Sequence, residues 1–408
     1  MELVQTVAAV LALFFAATGP MLRDEFLEWR ARIRNRTHRP WSGLKAGVGT
    51  RKPSAAPRAV WAMLSVATAL TLIGVTVNQL PSHVGGRSEL TAHLVFVSLG
   101  VPLMLLGVSV PPRIYRRMAP FGLLAGVLLL SVVLMIGPRV MGRRVVSSVG
   151  AGMRAGDVVV FMLVLWIAAM LVRRRSARPT SDVVIAWLVL AVGIMLLRLP
   201  ELNAGLGVGA VSLVMFLTAR SSLKSKLVFA YAMVSVLTLF LLVPYRRARL
   251  LSPLSGDLSF AASEARRVVG AGGVFGQGLD APAPPVPGLH DEFVLALVGY
   301  RIGWFGLAIC IALLLSLVAL LVWMAAHADD LFARLVPMGI ATWIFLDGSL
   351  AVLAIAGWEG FGPGFPLVAV GTWGVSFRLL AIAVVASLFV HAPSWRVGPD
   401  PPSSLPTS

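Results

Sequence analysis

His290-Asp291-Glu292-Phe293 closes the longest interval between apolar runs and opens an apolar run over 293–325. Two adjacent carboxylates beside an imidazole, at the rim of an apolar segment, are the groups that general-base chemistry on a hydroxyl requires. Arg246, Arg247 and Arg249 begin the same interval, and Arg143 and Arg144 lie in another. Guanidinium groups suit a diphosphate, because they donate charge-assisted and often bidentate hydrogen bonds. Base and cations together suit a lipid-linked diphosphate substrate met at a membrane surface. The same residues have plainer readings. Acids at the start of a helix complement its dipole, and Arg246, Arg247 and Arg249 are equally suited to reach lipid headgroups. The residues alone leave both readings open.

Three further acids need weighing. Asp347 lies inside an apolar run, where an ionisable side chain is costly and marks either function or a polar packing contact. Glu201 sits in the short break Leu199-Pro200-Glu201, and Asp157 opens an apolar run, where capping the helix dipole is the simpler account. The glycine cluster Gly270–Gly278 invites a phosphate-loop reading. It lacks the Gly-Lys-Ser/Thr ending, however, since Leu279 and Asp280 follow Gly278. A glycine-rich surface or re-entrant turn fits better. The six histidines and the single Cys310 show no metal-ligand spacing. No Gly-x-Ser-x-Gly elbow and no His-Glu-x-x-His appears.

The elements that must position these groups are set by composition. Of 408 residues, 58% are hydrophobic and 13% charged, whereas a soluble domain carries about 25% charged residues. A water-soluble packing cannot hide that much apolar surface. A lone cysteine excludes an internal disulfide framework. The chain reads as all-α, a polytopic integral membrane bundle. Eleven apolar stretches approach or reach the length of a bilayer span: 3–20, 59–79, 91–110, 118–137, 157–173, 183–199, 202–219, 227–245, 293–325, 333–357 and 369–391. The run over 293–325 exceeds what a bilayer needs, which implies tilt or an extension beyond it.

The charge is strongly basic, 35 Lys and Arg against 18 Asp and Glu, +17 in all. Because the basic residues fall between apolar runs, they act as topology signals and headgroup contacts, and nucleic acid is not expected as a partner. Ten lie in 21–58, and three short basic turns fall on the same side if every stretch spans. Taking that side as cytoplasmic places the C-terminus inside and the interval 246–292 outside. The expected organisation is an N-terminal anchor over 1–20, a basic cytoplasmic link over 21–58, a membrane domain over 59–391 and a disordered tail over 392–408. Glu2 precedes the first stretch without a basic region, so an uncleaved anchor is expected rather than a signal peptide.

The order of segments resembles the SEDS family (shape, elongation, division and sporulation), whose members include FtsW and RodA. The resemblance covers about residues 59–391. Gly142-Arg143-Arg144-Val145 is similar to the family's Gly-Ala-Arg-Arg-Trp, and Arg154-Ala155-Gly156-Asp157 to its Gln-Pro-Ser-Glu. Leu199-Pro200-Glu201-Leu202 is similar to Gln-Pro-Asp-Leu, and Gly270–Gly278 to Gly-Ser-Gly-Gly-Leu-x-Gly-x-Gly. His290-Asp291-Glu292-Phe293 stands where the family has His-Thr-Asp-Phe, and Gly303-Trp304-Phe305-Gly306 and Phe365-Pro366-Leu367 follow in order. The departures are Glu292 in the column of the family's carboxylate, Val145 for Trp, Val160 for Lys, Tyr300-Arg301 for Glu-Glu, and Ala369-Val370-Gly371-Thr372 for Ser-Tyr-Gly-Gly.

The resemblance implies ten core helices beside the extra N-terminal one, in the bacterial cytoplasmic membrane. It implies a peptidoglycan glycosyltransferase that polymerises lipid II, an undecaprenyl-diphosphate-linked disaccharide-peptide, beside a class B penicillin-binding protein. Glu292 or Asp291 would then be the base. Arg143, Arg144, Glu201, Arg246, Arg247, Arg249, Gly272, Gly273 and His290 would contact substrate. The resemblance fixes no cofactor, and a divalent cation at the diphosphate is allowed by the resemblance alone. Two alternatives stand beside the enzyme: a non-catalytic scaffold or regulator of wall synthesis, and a precursor transporter. The transporter would need a polar path, for which Asp347, Arg378 and Glu201 are the candidates.

Overall fold

The computed structural model describes residues 55–78, 89–136, 139–140, 143–144, 155–173, 202–219, 259–358, 364–369 and 374–391, with scattered residues between 189 and 247. The expected anchor over 3–20, most of the basic link, most of the stretch 183–199, Glu201, Arg246, Arg249 and the tail from 392 lie outside the described residues.

The described residues form a helical bundle. In chain order the helices are α1 Ala55–Val77, α2 Glu89–Ser109, α3 Pro112–Ile136, α4 Ala155–Arg173, α5 Leu202–Thr218, α6 Phe260–Gly272, α7 Val294–Ala326, α8 Leu331–Ile355 and α9 Gly374–Val390. Between α3 and α4 a minimal antiparallel hairpin pairs Arg139 with Arg144 and Val140 with Arg143. Five of these helices contain segments long and apolar enough to cross a bilayer: Arg58–Val77, Pro112–Val132, Gly156–Arg173, Val294–Ala326 and Leu331–Ile355. Trp61, Leu72, Leu105, Leu106 and Phe345 are exposed on the bundle's flanks, a surface suited to lipid rather than water. The protein is a membrane protein.

α4 is the most enclosed long helix. It packs against α3, α5, α8 and α9, and Phe161, Val164, Trp166 and Ile167 are buried within it. α9 lies along α2 and touches α1, α4 and α8, while α7 packs between α8, α1 and α6.

The structure refines three sequence expectations. The long interval before residue 293 is not loop throughout: it contains α6, whose first turn is capped by the Ser259 hydroxyl accepting from the Ala262 amide. The last apolar run does not begin as helix at 369, because 364–369 forms a separate turn and α9 starts at Gly374. The overlong run over 293–325 is one element with a break at Gly303, whose φ of 82° and ψ of −171° interrupt the helix.

The glycine cluster explains that break. A helix interruption frees backbone donors and acceptors that must find partners when buried. Here the segment after α6 supplies them. Trp304 N donates to Gly273 O at 3.0 Å and Phe305 N to Val274 O at 3.2 Å. In return Gln277 N donates to Tyr300 O at 2.8 Å and Gly278 N to Arg301 O at 3.1 Å. The cluster is therefore a surface turn spliced onto the broken helix.

Candidate functional site

The turn before α7 presents the two carboxylates. Gly288 O accepts from Asp291 N at 3.1 Å and from Phe293 N at 3.0 Å, closing a tight turn that delivers Glu292 to the helix start. Asp291 and Glu292 are half-buried and His290 is buried. Phe293 occupies the N-cap position and makes no side-chain cap, so the acids stand one and two residues outside the helix. That position lies on the favourable side of the helix dipole for negative charge.

Two other segments hold this turn. Asn78, buried at the C-terminal end of α1, donates from Nδ2 to Gly74 O at 2.7 Å and to Val368 O at 3.4 Å. Its Oδ1 is therefore the acceptor facing His290 Nδ1 at 2.8 Å, which assigns the proton to Nδ1. The turn over 364–369 forms the second wall. A Cβ placed on Gly364 would lie 2.5 Å from Asp291 O, and one on Gly74 2.9 Å from Val368 Cα. Within this wall Leu367 is buried with a φ of 67°, a left-handed conformation that costs a non-glycine residue about 1–2 kcal/mol. Such strain persists only where surrounding packing over-determines it.

Arg301 completes the surroundings. Its guanidinium is buried and donates to Val77 O, the last carbonyl of α1, and to Ala281 O at 3.1 Å. A cation at a helix C-terminus complements both the orphan carbonyl and the dipole. α1, the interval before α7 and α7 itself are thereby tied at one point.

Below this layer lies a buried ionic cluster. Arg378 of α9 meets Asp347 of α8 at 2.5 Å and Asp157 of α4 at 3.6 Å, and its guanidinium carbon lies 5.2 Å from the Trp343 ring centroid. Asp157, first read as a dipole cap, does sit in the first turn of α4, but it also pairs with Arg378. Asp347 and Arg378, candidates for a transport path, face each other. Val160, one turn along α4 from Asp157, is buried and apolar.

The structure brings His290, Asp291 and Glu292 together with Asn78 and the 364–369 turn. Gly272 and Gly273 serve a different contact: a Cβ on Gly272 would lie 1.9 Å from Gly299 O, and Gly273 O receives Trp304 N. Arg143 and Arg144 form the second strand of the small hairpin, and Arg247 is exposed. Asn78 and Arg301 were not assigned site roles from sequence, and Arg378 only a place on a transport path. The available signal was polarity at the end of, or inside, an apolar run, where a charge must find a partner. Among the described residues no three of His, Cys, Asp and Glu converge on a metal position.

The Asn78 contacts give a direct expectation. Asn78→Leu removes the partner of a buried imidazole and of Val368 O, and is expected to lower stability by about 1–3 kcal/mol. Thr68→Val, which alters only an exposed hydroxyl bonded to Leu64 O, should be near neutral. Thermal unfolding of the detergent-solubilised protein distinguishes the two.

Comparison with known proteins follows the same residues. The family described as "Cell cycle protein", FtsW/RodA/SpoVE, matches residues 57–392. A probable peptidoglycan glycosyltransferase FtsW of Trichlorobacter lovleyi is 24% identical over 368 residues, covering 83% of this chain and 95% of that protein. Peptidoglycan glycosyltransferase MrdB of Escherichia coli K12 is 24% identical over 310 residues, covering 72% and 84%. Among solved structures, a chain described under "Structural coordination of polymerization and crosslinking by a peptidoglycan synthase complex" aligns with a TM-score of 0.65 at 22% identity, covering 81% of this chain and 97% of that one. The rod shape determining protein RodA of Thermus thermophilus aligns with a TM-score of 0.61 at 22% identity, covering 81% and 96%. At that identity the structural likeness establishes the fold.

Proposed function

We propose that this chain, which belongs to the FtsW/RodA/SpoVE family of cell cycle proteins, is a peptidoglycan glycosyltransferase that polymerises lipid II in cell division or cell-shape control. The observation that carries this reading is the half-buried Asp291–Glu292 pair, held at the start of α7 by the Asn78–His290 bond and the 364–369 turn. Relatives named as peptidoglycan glycosyltransferases, each spanned over most of its length, support it.

In the proposed step a carboxylate, Glu292 or Asp291, accepts the proton of the acceptor sugar hydroxyl. The hydroxyl oxygen forms a bond to the donor's anomeric carbon. The bond from that carbon to the diphosphate breaks, and undecaprenyl diphosphate leaves with the electron pair. Arg143, Arg144, Arg246, Arg247 and Arg249 are proposed to neutralise the diphosphate, since charge developing on a leaving group is what fixed cations stabilise. His290 is proposed to orient the carboxylates, and Glu201 to border the substrate path. A divalent cation, if present, would arrive with the diphosphate.

The reading places the protein in the bacterial cytoplasmic membrane, with its C-terminus in the cytoplasm and the 246–292 interval on the outer face. It assigns 1–20 to an anchor, 21–58 to a basic link, 59–391 to the membrane domain and 392–408 to a tail. It takes a class B penicillin-binding protein as partner, as the synthase complex among the structural neighbours suggests. A scaffold without catalysis is the second reading, favoured by the altered polar positions, Glu292 for the Asp of His-Thr-Asp-Phe and the apolar Val160 among them.

Fluorescent lipid II incubated with the purified protein, alone and with its penicillin-binding partner, separates the two. Glycan strands on a gel are the expected result. A folded protein that yields none, even with its partner, overturns the polymerase in favour of the scaffold.

A further inference from the structure

We infer that Arg378 is a positioning residue for glycosyl transfer, acting as a clamp that fixes the turn behind Asp291. The inference rests on the polymerase reading for its kinetic consequence, and on geometry for the clamp itself. The turn over 364–369 is strung between the C-terminal end of α8 and the start of α9, and it abuts the backbone of Asp291. Arg378 is the fifth residue of α9, and Asp347 lies eight residues before the end of α8. At about 1.5 Å rise per residue, the ion pair joins the two stems only one to two helical turns below the turn they carry. Asp157 adds a third stem, because it is the third residue of α4, directly after the interval that holds Arg143 and Arg144.

All three groups are almost fully buried, with side-chain exposures of 4% or less. Trp343, also buried, lies beside the guanidinium. A buried ion cluster is weak evidence for stability, because apolar replacement of the whole cluster is often neutral or favourable. Its value lies in geometry. A guanidinium fork serves two carboxylates at fixed angles, and a lysine ammonium does not. Here one fork nitrogen faces α8 and the other faces α4, so one side chain sets the spacing of three helices around the turn. A displacement of about 1 Å at a reacting group can cost on the order of 100-fold in rate.

Two variants test the clamp. Arg378→Met with Asp157→Asn and Asp347→Asn removes the three charges together. Arg378→Lys keeps the cation and loses the fork. Melting temperature, lipid II kcat and KM, and amide exchange over 288–293 and 364–369 are measured for each. The neutral triple is expected to keep its KM within about twofold while kcat falls about 10- to 100-fold. Exchange in both turns should rise at least about tenfold. Arg378→Lys is expected to show the same pattern in smaller measure, and it decides the matter should the triple fail to fold. Wild-type kcat and wild-type exchange in a folded variant overturn the clamp, as does a loss of activity carried by KM alone. A wild-type protein that makes no glycan strands sinks the polymerase reading; exchange then decides the clamp by itself, and unchanged turns reject it.

Discussion

Glu292→Gln is expected to reduce glycan polymerisation by about 10²- to 10⁴-fold, the range lost when a positioned general base is removed. This corresponds to about 2.7–5.5 kcal/mol of barrier. The loss should appear in kcat, because the carboxylate acts on the proton in flight and contributes little to holding the substrate. Stability should change little, since Glu292 is half-buried and outside the helix proper. Asp291→Asn is the contrasting variant and is expected to cost less than about tenfold. Asp291 is committed at its backbone: its amide donates to Gly288 O, and its carbonyl is pressed by the 364–369 turn. By its resemblance to His-Thr-Asp-Phe, Glu292 stands in the column of the family's carboxylate. Glu292→Asp shortens the side chain by one methylene at that column and should retain activity within about tenfold. Three single variants in one polymerisation assay read the assignment. A reversed order, with Asp291→Asn inactive and Glu292→Gln active, moves the base by one residue and leaves the reaction standing. Full activity in both removes this turn from catalysis.

The sequence made the helices legible because apolar runs of bilayer length leave few alternatives. The runs over 59–79, 157–173 and 202–219 match α1, α4 and α5 within a few residues. It also placed His290, Asp291 and Glu292 at the start of a helix. The wall behind them was less visible. Residues 364–369 fall almost wholly between the apolar runs over 333–357 and 369–391, so hydropathy assigned them no element; only the left-handed Leu367 and the glycine before Phe365 mark their turn in space. Arg378 was visible as a charge in an apolar run, but its partners lie 31 and 221 positions away in sequence on two other helices. Pairing of that kind depends on which helix faces meet, and periodicity along one helix does not report it. The same holds for Asn78 and His290, 212 positions apart.

The glycine splice carries the second large expectation, because its contacts are between backbones and have nowhere to retreat. A Cβ on Gly303 would lie 2.2 Å from Val274 O and 2.5 Å from Gly276 N, at a φ of 82°. Gly303→Val therefore combines a backbone clash with a conformation that a β-branched residue rarely adopts. Gly276→Ala meets Arg301 O at 2.2 Å, and Gly272→Ala meets Gly299 O at 1.9 Å. Relief requires separating α6 and its following turn from α7, which also breaks the four hydrogen bonds that satisfy the interrupted helix. Losses of about 3–5 kcal/mol or more are expected, at the upper end of single-residue effects. Gly270→Ala is the control: it lies in the same cluster, with open space around its Cα, and a helical alanine there should be neutral or stabilising by up to about 1 kcal/mol. Size-exclusion profiles and melting temperatures in detergent separate these outcomes. If the cluster instead binds substrate through its exposed backbone, Gly270→Ala should reduce polymerisation without lowering stability, and the two deeply packed glycines, Gly272 and Gly303, should tolerate alanine. The geometry predicts the reverse order. In this geometry the glycines serve close backbone approach, which holds Arg301 against α1 beside the turn that presents Asp291 and Glu292.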